Sequence, residues 1–212
     1  MVMQINQIYA KYQIMPQLAT HMLRVGGVGK LILDGWSGEI DQDLVLRSLL
    51  LHDMGNMAKF DLSDAGQQKL RSVEPVDLPL WRERQESFWH TYGRDAHEAT
   101  IAILRELGQT DVITVLEEDH IGYADGDAAL LLKQGWPAKI VGYADIRVVP
   151  NGVVPMKERI ADIHRRYGRA LSWYDFLYEL EREVAGMTTT DLSSITEADV
   201  LPFFDELLTY TI

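Results

Sequence analysis

The sequence contains no cysteine. That absence excludes disulfide scaffolds, thiolate nucleophiles, Cys-ligated zinc and iron–sulfur clusters, and it leaves any metal to nitrogen and oxygen ligands. Positive charge is scarce: 20 Lys and Arg stand against 32 Asp and Glu, a formal net charge of −12. A surface of that sign repels polyanions, so long nucleic acid is not an expected partner, although a local basic pocket is allowed. Long apolar runs are missing as well. No segment approaches the roughly 20 apolar residues that span a bilayer. The start, Met1-Val2-Met3-Gln4-Ile5-Asn6-Gln7, lacks the basic residues and apolar stretch of a signal peptide. The expectation is a cytoplasmic protein with no membrane partner. Strand-rich patterning, repeats, heptads and low-complexity tracts are also absent.

What remains is a chain of 212 residues, 47% hydrophobic, enough for one substantial core. Helical periodicity dominates, and the expected class is all-α in one domain over 1–212, with a core region at 17–150 and a helical extension at 156–212. In 18–33 the apolar residues Leu18, Met22, Val25, Val28 and Ile32 recur every three or four positions and mark a buried face. Gly26, Gly27 and Gly29 lower helix propensity there by about 1 kcal/mol each, so they signal close packing or a local break. A second helix is expected over 41–60, capped by Asp41 or Asp43 and apolar on nearly all sides. The breaker-rich stretch within 61–86, Glu74-Pro75-Val76-Asp77-Leu78-Pro79, reads as a surface loop that covers or borders a cleft. Further helices are expected over 93–107, 111–120, a short piece ending near Gly135, 137–145, 156–168 and 171–186. A last helix through Leu208 is expected to be capped by Ser194 or Thr196.

The strongest chemical signal is His52-Asp53, inside Leu49-Leu50-Leu51-His52-Asp53-Met54-Gly55-Asn56. Neighbours on a helix point about 100° apart, so both can serve one centre only if it lies between them near the helix surface. A metal meets that geometry; a buried structural pair is the bland alternative. His21, His97, His120 and Asp145 are further candidates. His21 is equally readable as a half-buried core histidine, His97 as a first-turn surface residue and Asp145 as a solvated one. Yet Asp145 lies in Ile140-Val141-Gly142-Tyr143-Ala144-Asp145-Ile146, where a carboxylate among apolar neighbours asks for a cation or a donor. His90 and His164 have no motif context.

The succession His21, His52-Asp53, Asp145 resembles the H…HD…D pattern of the HD-domain metal-dependent phosphohydrolase superfamily, over about 17–145. The resemblance implies an HD-like helical bundle with His21, His52, Asp53 and Asp145 around one metal. His97 and His120 resemble the extra histidines of two-metal members, in which Asp53 would be the bridging carboxylate. The run His120-Ile121-Gly122-Tyr123-Ala124-Asp125-Gly126 is similar to the HD-GYP subgroup, but the doubled histidine and the Gly-Tyr-Pro signature are absent, and Asn56 stands where that subgroup has lysine. Cyclic-dinucleotide cleavage is therefore not expected.

The expected cofactor is one or two divalent ions, Fe, Mn, Co, Ni, Zn or Mg, which an all-N/O ligand set does not distinguish. Such ions activate water and neutralise phosphoryl oxygens. The expected activity is hydrolysis of a phosphate ester or anhydride of a nucleotide or other small phosphorylated metabolite, with Asp53 orienting the water or bridging metals. Lys59, about two helical turns beyond His52, and Arg94, about one turn before His97, are the candidate phosphate-binding cations, each with ordinary surface charge as its plain alternative. Trp81, Phe88, Trp89, Tyr92 and Tyr123 stack on a base, close the pocket or, more simply, pack the core. Two other readings stand: a di-iron, oxygen-dependent oxidase or oxygenase on a related site, and a non-catalytic regulatory or ligand-binding protein. A homodimer is carried as a partner.

Overall fold

The computed structural model describes residues 2–70, 73–124, 128–168 and 174–212. Among them the chain is almost wholly helical: α1 (Ile5–Lys11), α2 (Pro16–Asp34), α3 (Gln42–Leu51), α4 (Asp64–Leu70), α5 (Leu78–Tyr92), α6 (Ala96–Leu107), α7 (Thr110–Ala124), α8 (Trp136–Arg147), α9 (Met156–Tyr167), α10 (Asp175–Ala185), α11 (Glu197–Val200) and α12 (Phe204–Thr209). Two-residue strands β1 (Val148–Val149) and β2 (Gly152–Val153) form an antiparallel hairpin after α8, with Val148 opposite Val153. No helix among the described residues is long and apolar enough to cross a membrane.

The centre of the bundle is α2, packed on α3 and α8, with α7 against both of the latter. The apolar stripe of α2 is buried along its length, from Leu18 through Met22, Val25 and Val28 to Ile32. Each large aliphatic side chain so buried contributes about 1.5–3 kcal/mol. The helix runs unbroken through its glycines because they are contact points: a Cβ on Gly29 would sit 2.1 Å from Leu49 Cδ1, and one on Gly26 2.9 Å from Leu50 Cδ2. Bare backbone at these positions lets α2 and α3 approach closely.

The 41–60 expectation is corrected. Asp41 caps the helix as expected, accepting from the Leu44 amide at 3.0 Å, but α3 stops at Leu51, and Asn56–Lys59 is a separate 3-10 turn. The Gly55 amide is satisfied by Thr100 Oγ1 of α6 at 2.9 Å, so the chain leaves the α-helical path after His52. The 61–86 expectation is corrected too. Most of that stretch is α4 and the start of α5, with Pro79 in the first turn, where its missing N–H costs nothing. None of its described residues lines the cleft described below. Instead α5 braces the 3-10 turn from behind: Gln85 Nε2 donates to the Met57 and Phe60 carbonyls at 2.9 and 2.8 Å, and Trp89 Nε1 to the Ala58 carbonyl at 3.0 Å.

After α8 the chain is fastened by a fully buried arginine. Arg147 donates to the carbonyls of Val154 (2.5 Å), Leu192 (2.6 Å) and Ile195 (3.1 Å) and to Tyr143 Oη (2.6 Å). Tyr143 Oη in turn donates to Glu181 at 3.0 Å, which brings a carboxylate into the network. A buried charge is tolerated only when its donors are satisfied in this way. The tail helix begins at Thr196, in a reciprocal cap with Asp199.

Two predictions follow from this packing. A Cβ at Gly55 would lie 2.1 Å from the Ala96 carbonyl oxygen and 2.5 Å from the Thr100 nitrogen, backbone atoms that cannot turn aside. Gly55→Ala is expected to destabilise the fold by about 1–3 kcal/mol, read as a lower urea midpoint at unchanged slope. The second concerns Arg47, which bridges Asp43 and Asp111 at 2.8 and 2.7 Å. The guanidinium holds Asp111 below the usual carboxylate range. At Asp43 burial pushes upward, but hydrogen bonds from Tyr210 and Arg47 outweigh it and lower the carboxyl. Depressed carboxylates stabilise the fold above their unfolded pKa of about 4 and lose that contribution as pH falls through the folded value. The stability gap between wild type and Arg47→Met should therefore narrow below about pH 4; a gap unchanged down to the acid transition would contradict it.

Candidate metal centre

His21 projects from the second turn of α2, while His52 is the residue that ends α3 and Asp53 follows it in the turn. His52 keeps right-handed helical dihedrals at the helix end, and the side chains of both residues reach one point between their directions. His21 Nε2 lies 3.2 Å from His52 Nε2 and 3.4 Å from Asp53 Oδ2; His52 Nε2 is 3.6 Å from the same oxygen. From α8, Asp145 Oδ1 stands 3.0 Å from His21 Nε2 and 3.6 Å from His52 Nε2.

His21, His52 and Asp53 form a group that could hold a metal ion. Donors bound at about 2.0–2.2 Å to one ion lie roughly 3–3.6 Å apart in tetrahedral or octahedral arrangements, the spacing seen in the group. The donor chemistry fits as well. His52 Nδ1 is 2.8 Å from the Leu49 carbonyl, which can only accept, so the proton sits on Nδ1 and the Nε2 lone pair faces the group. Burial by itself would lower the His21 imidazole, but hydrogen bonds and charge from Asp145 and Asp53 outweigh it and push it up to about 10. His52 is raised against its burial by the charge of Asp53 and by Asp145. Burial works to raise Asp53 and Asp145, yet the histidines hold both carboxyls low, with Lys59 adding to the effect at Asp53. The pocket is thus built to place positive charge between two carboxylates.

His52, Asp53 and Asp145 open onto a cleft of about 650 Å³. Lys59 lines it, carried there by the 3-10 turn rather than by two further turns of α3. Asn56, 7% exposed, lines it as well. His97 and His120 line it too, but they are not part of the tight group. Their rings stack on each other with centroids 3.8 Å apart and planes 11° from parallel, and His97 Nε2 is 3.5 Å from Glu117 Oε2. Arg94 is not among the lining residues. Helix α6 starts at Ala96, one residue after the Asp95 cap, so Arg94 shares no helical face with His97, and its guanidinium lies 4.0 Å over the Trp89 ring.

Of the aromatic candidates, Trp81 and Phe88 are buried in the core. Trp89 is tied to the Ala58 carbonyl and Tyr92 to Glu106. The Tyr123 side chain falls outside the described residues. The aromatic that does line the cleft is Phe176 of α10, which motif reading did not single out.

Two polar residues of the cleft wall were also missed. Asp119 of α7 has a buried Oδ1 with no hydrogen-bond partner among the described residues, packed where a Cβ on Gly142 would sit 2.7 Å away. Burial and the charge of Asp145 push this carboxyl up to about 7. Arg159 of α9 has a buried Nε without a described hydrogen-bond partner. Both had a sequence signal: Asp119 continues the buried stripe Val112, Val115, Leu116, and Arg159 lies three after Met156 and four before Ile163. Each is a charged residue on a core-facing position, the pattern that drew attention to Asp145.

Metal retention offers a direct check. Elemental analysis of protein purified without chelator or a metal-binding tag should find about one equivalent of transition metal, removed in a folded His52→Ala/Asp53→Ala variant. Equal metal in both proteins would exclude the group as the site. Comparison of the chain with protein-family models, with characterised proteins and with solved structures finds no match.

Proposed function

We propose that this protein is an HD-type, metal-dependent phosphohydrolase acting on a small phosphorylated metabolite. The observation that carries this reading is the convergence of His21, His52, Asp53 and Asp145, from three separate helical elements, at the head of a cleft that also holds Lys59. A structural histidine–aspartate pair would not need a third donor from α2, a carboxylate from α8 at 3.0 Å from that donor, or a cleft beside them.

In this reading His21, His52, Asp53 and Asp145 hold one divalent ion, and His97 and His120, which stack on each other, serve the substrate side of the cleft. A divalent ion bound there supplies a nucleophilic water at neutral pH and neutralises charge on phosphoryl oxygens. The chain's own residues do the rest. Lys59 offers a mobile positive charge to the phosphate, and the Asn56 side chain offers a neutral donor beside it. The Leu49 carbonyl keeps the His52 ring in one tautomer and orientation. Asp119, held near neutrality, can keep a proton that Asp53 and Asp145 have lost and give it up to a leaving oxygen. The negative surface charge supports a small substrate over a nucleic-acid strand.

Phosphate release should be measured on a panel of small phosphate esters and anhydrides after loading with Mn, Fe, Co, Ni, Zn or Mg. Turnover that requires metal and vanishes in His52→Ala supports the reading; no turnover with any of these metals overturns it. Within an active enzyme, Asp119→Asn should lower kcat by about a hundredfold or more while metal content stays constant. An unchanged kcat would remove Asp119 from proton transfer.

A further inference from the structure

The walls of the cleft differ in character. On one side stand the metal-centre residues, with Lys59, Asp95, Asp119 and the two stacked histidines. On the other, Ile146, Ile163, Phe176 and Leu177 form an apolar face from α8, α9 and α10, with Arg159 set among them. Among the described residues Arg159 is held from one side. Its Nη1 is 3.3 Å from Asp162 Oδ2, and Asp162 also pairs with Arg165 at 2.6 Å. The buried Nε has no hydrogen-bond partner among the described residues. A guanidinium presents a planar fork of donors suited to phosphate or carboxylate, and the Arg159 side chain, about one-fifth exposed, brings that fork to the cleft lining.

Charge counting narrows the ligand. The described lining carries the carboxyls of Asp53, Asp95, Asp119 and Asp145 against two permanent cations, Lys59 and Arg159. A divalent ion leaves little positive charge in excess, so a diphosphate or triphosphate chain would enter against net repulsion. A monoester, with a charge of about −1.5 to −2 near neutrality, is admitted against less repulsion than those chains. The apolar face then has a use: it takes the body of the ester.

We propose that Arg159 is the anchoring cation for the phosphate of a monoester whose apolar or aromatic body rests on Ile146, Ile163, Phe176 and Leu177. This rests on the phosphohydrolase reading of the same cleft, but its test does not require turnover. Phenylphosphonate, which carries the dianion and an aromatic ring but no hydrolysable ester, should be titrated calorimetrically into metal-loaded wild type, Arg159→Met and Arg159→Lys. Inorganic phosphate and inorganic triphosphate serve as comparison ligands.

The expected results are tighter binding of phenylphosphonate than of either comparison ligand, and a loss of roughly tenfold or more in Arg159→Met, with partial recovery in Arg159→Lys. Metal content and thermal midpoint should be unchanged in both variants. Wild-type affinity in Arg159→Met, or tighter binding of triphosphate, would overturn the proposal. Turnover of phenyl phosphate separates the two readings. Binding that depends on Arg159 without phosphate release sinks the hydrolase and keeps the anchor. Phosphate release with an unaltered KM in Arg159→Met sinks the anchor and keeps the hydrolase.

Discussion

The structure depends on how closely α2 and α3 approach. Gly26 and Gly29 present bare backbone to Leu50 and Leu49, and the gap that results is what allows an imidazole from each element to meet at 3.2 Å. A Cβ at either glycine would require Leu50 or Leu49 to give way. The glycines carry a helix-propensity cost of about 1 kcal/mol each, so the bundle gives up local stability for a short interhelical distance. The third element of the group, the turn after Leu51, depends on a similar close approach, with Gly55 lying against the first turn of α6.

Much of this was legible from residues. The periodic stripe of α2, the caps at Asp41 and Thr196, and proline in the first turn of α8 locate helices because each reflects a local rule: burial on one face, an unsatisfied amide, a missing donor. The group His21, His52, Asp53 was legible by another route, from the adjacent His52-Asp53 pair and, for His21, from the resemblance to the H…HD…D pattern; apolar neighbours pointed to Asp145. The end of α3 was not legible. Leu51 to Lys59 contains no proline and only one glycine, and the turn after the helix is held by the Gly55 amide donating to Thr100 Oγ1, 45 residues away. Helix α5 was hidden by Pro75 and Pro79, which read as breakers when the second of them actually opens a helix. Arg94 was assigned to a helical face that begins after it.

The electrostatics of the cleft follow from a simple imbalance. The chain as a whole is strongly acidic, and in the candidate metal centre the carboxyls of Asp53 and Asp145 are held low by the neighbouring histidines. Asp119, whose buried Oδ1 has no hydrogen-bond partner among the described residues, takes the opposite course and is pushed up by burial and by the charge of Asp145. Three aspartates in one cleft are thus driven apart in protonation by differences in their neighbours alone, which is how a single set of carboxyls can divide the tasks of holding a cation and carrying a proton.

The buried Arg147 ties the end of α8 to residues far along the chain. It lies two residues after Asp145, and the carbonyls of Leu192 and Ile195 that fix it come 45 and 48 positions later. On a ribosome, α2 and α3 emerge with His21, His52 and Asp53 long before those carbonyls exist. Tyr143 and the Val154 carbonyl hold the guanidinium from nearby in sequence, and the two later carbonyls complete its set of acceptors. The placement of Asp145 at the end of α8 therefore depends in part on residues near the far end of the chain.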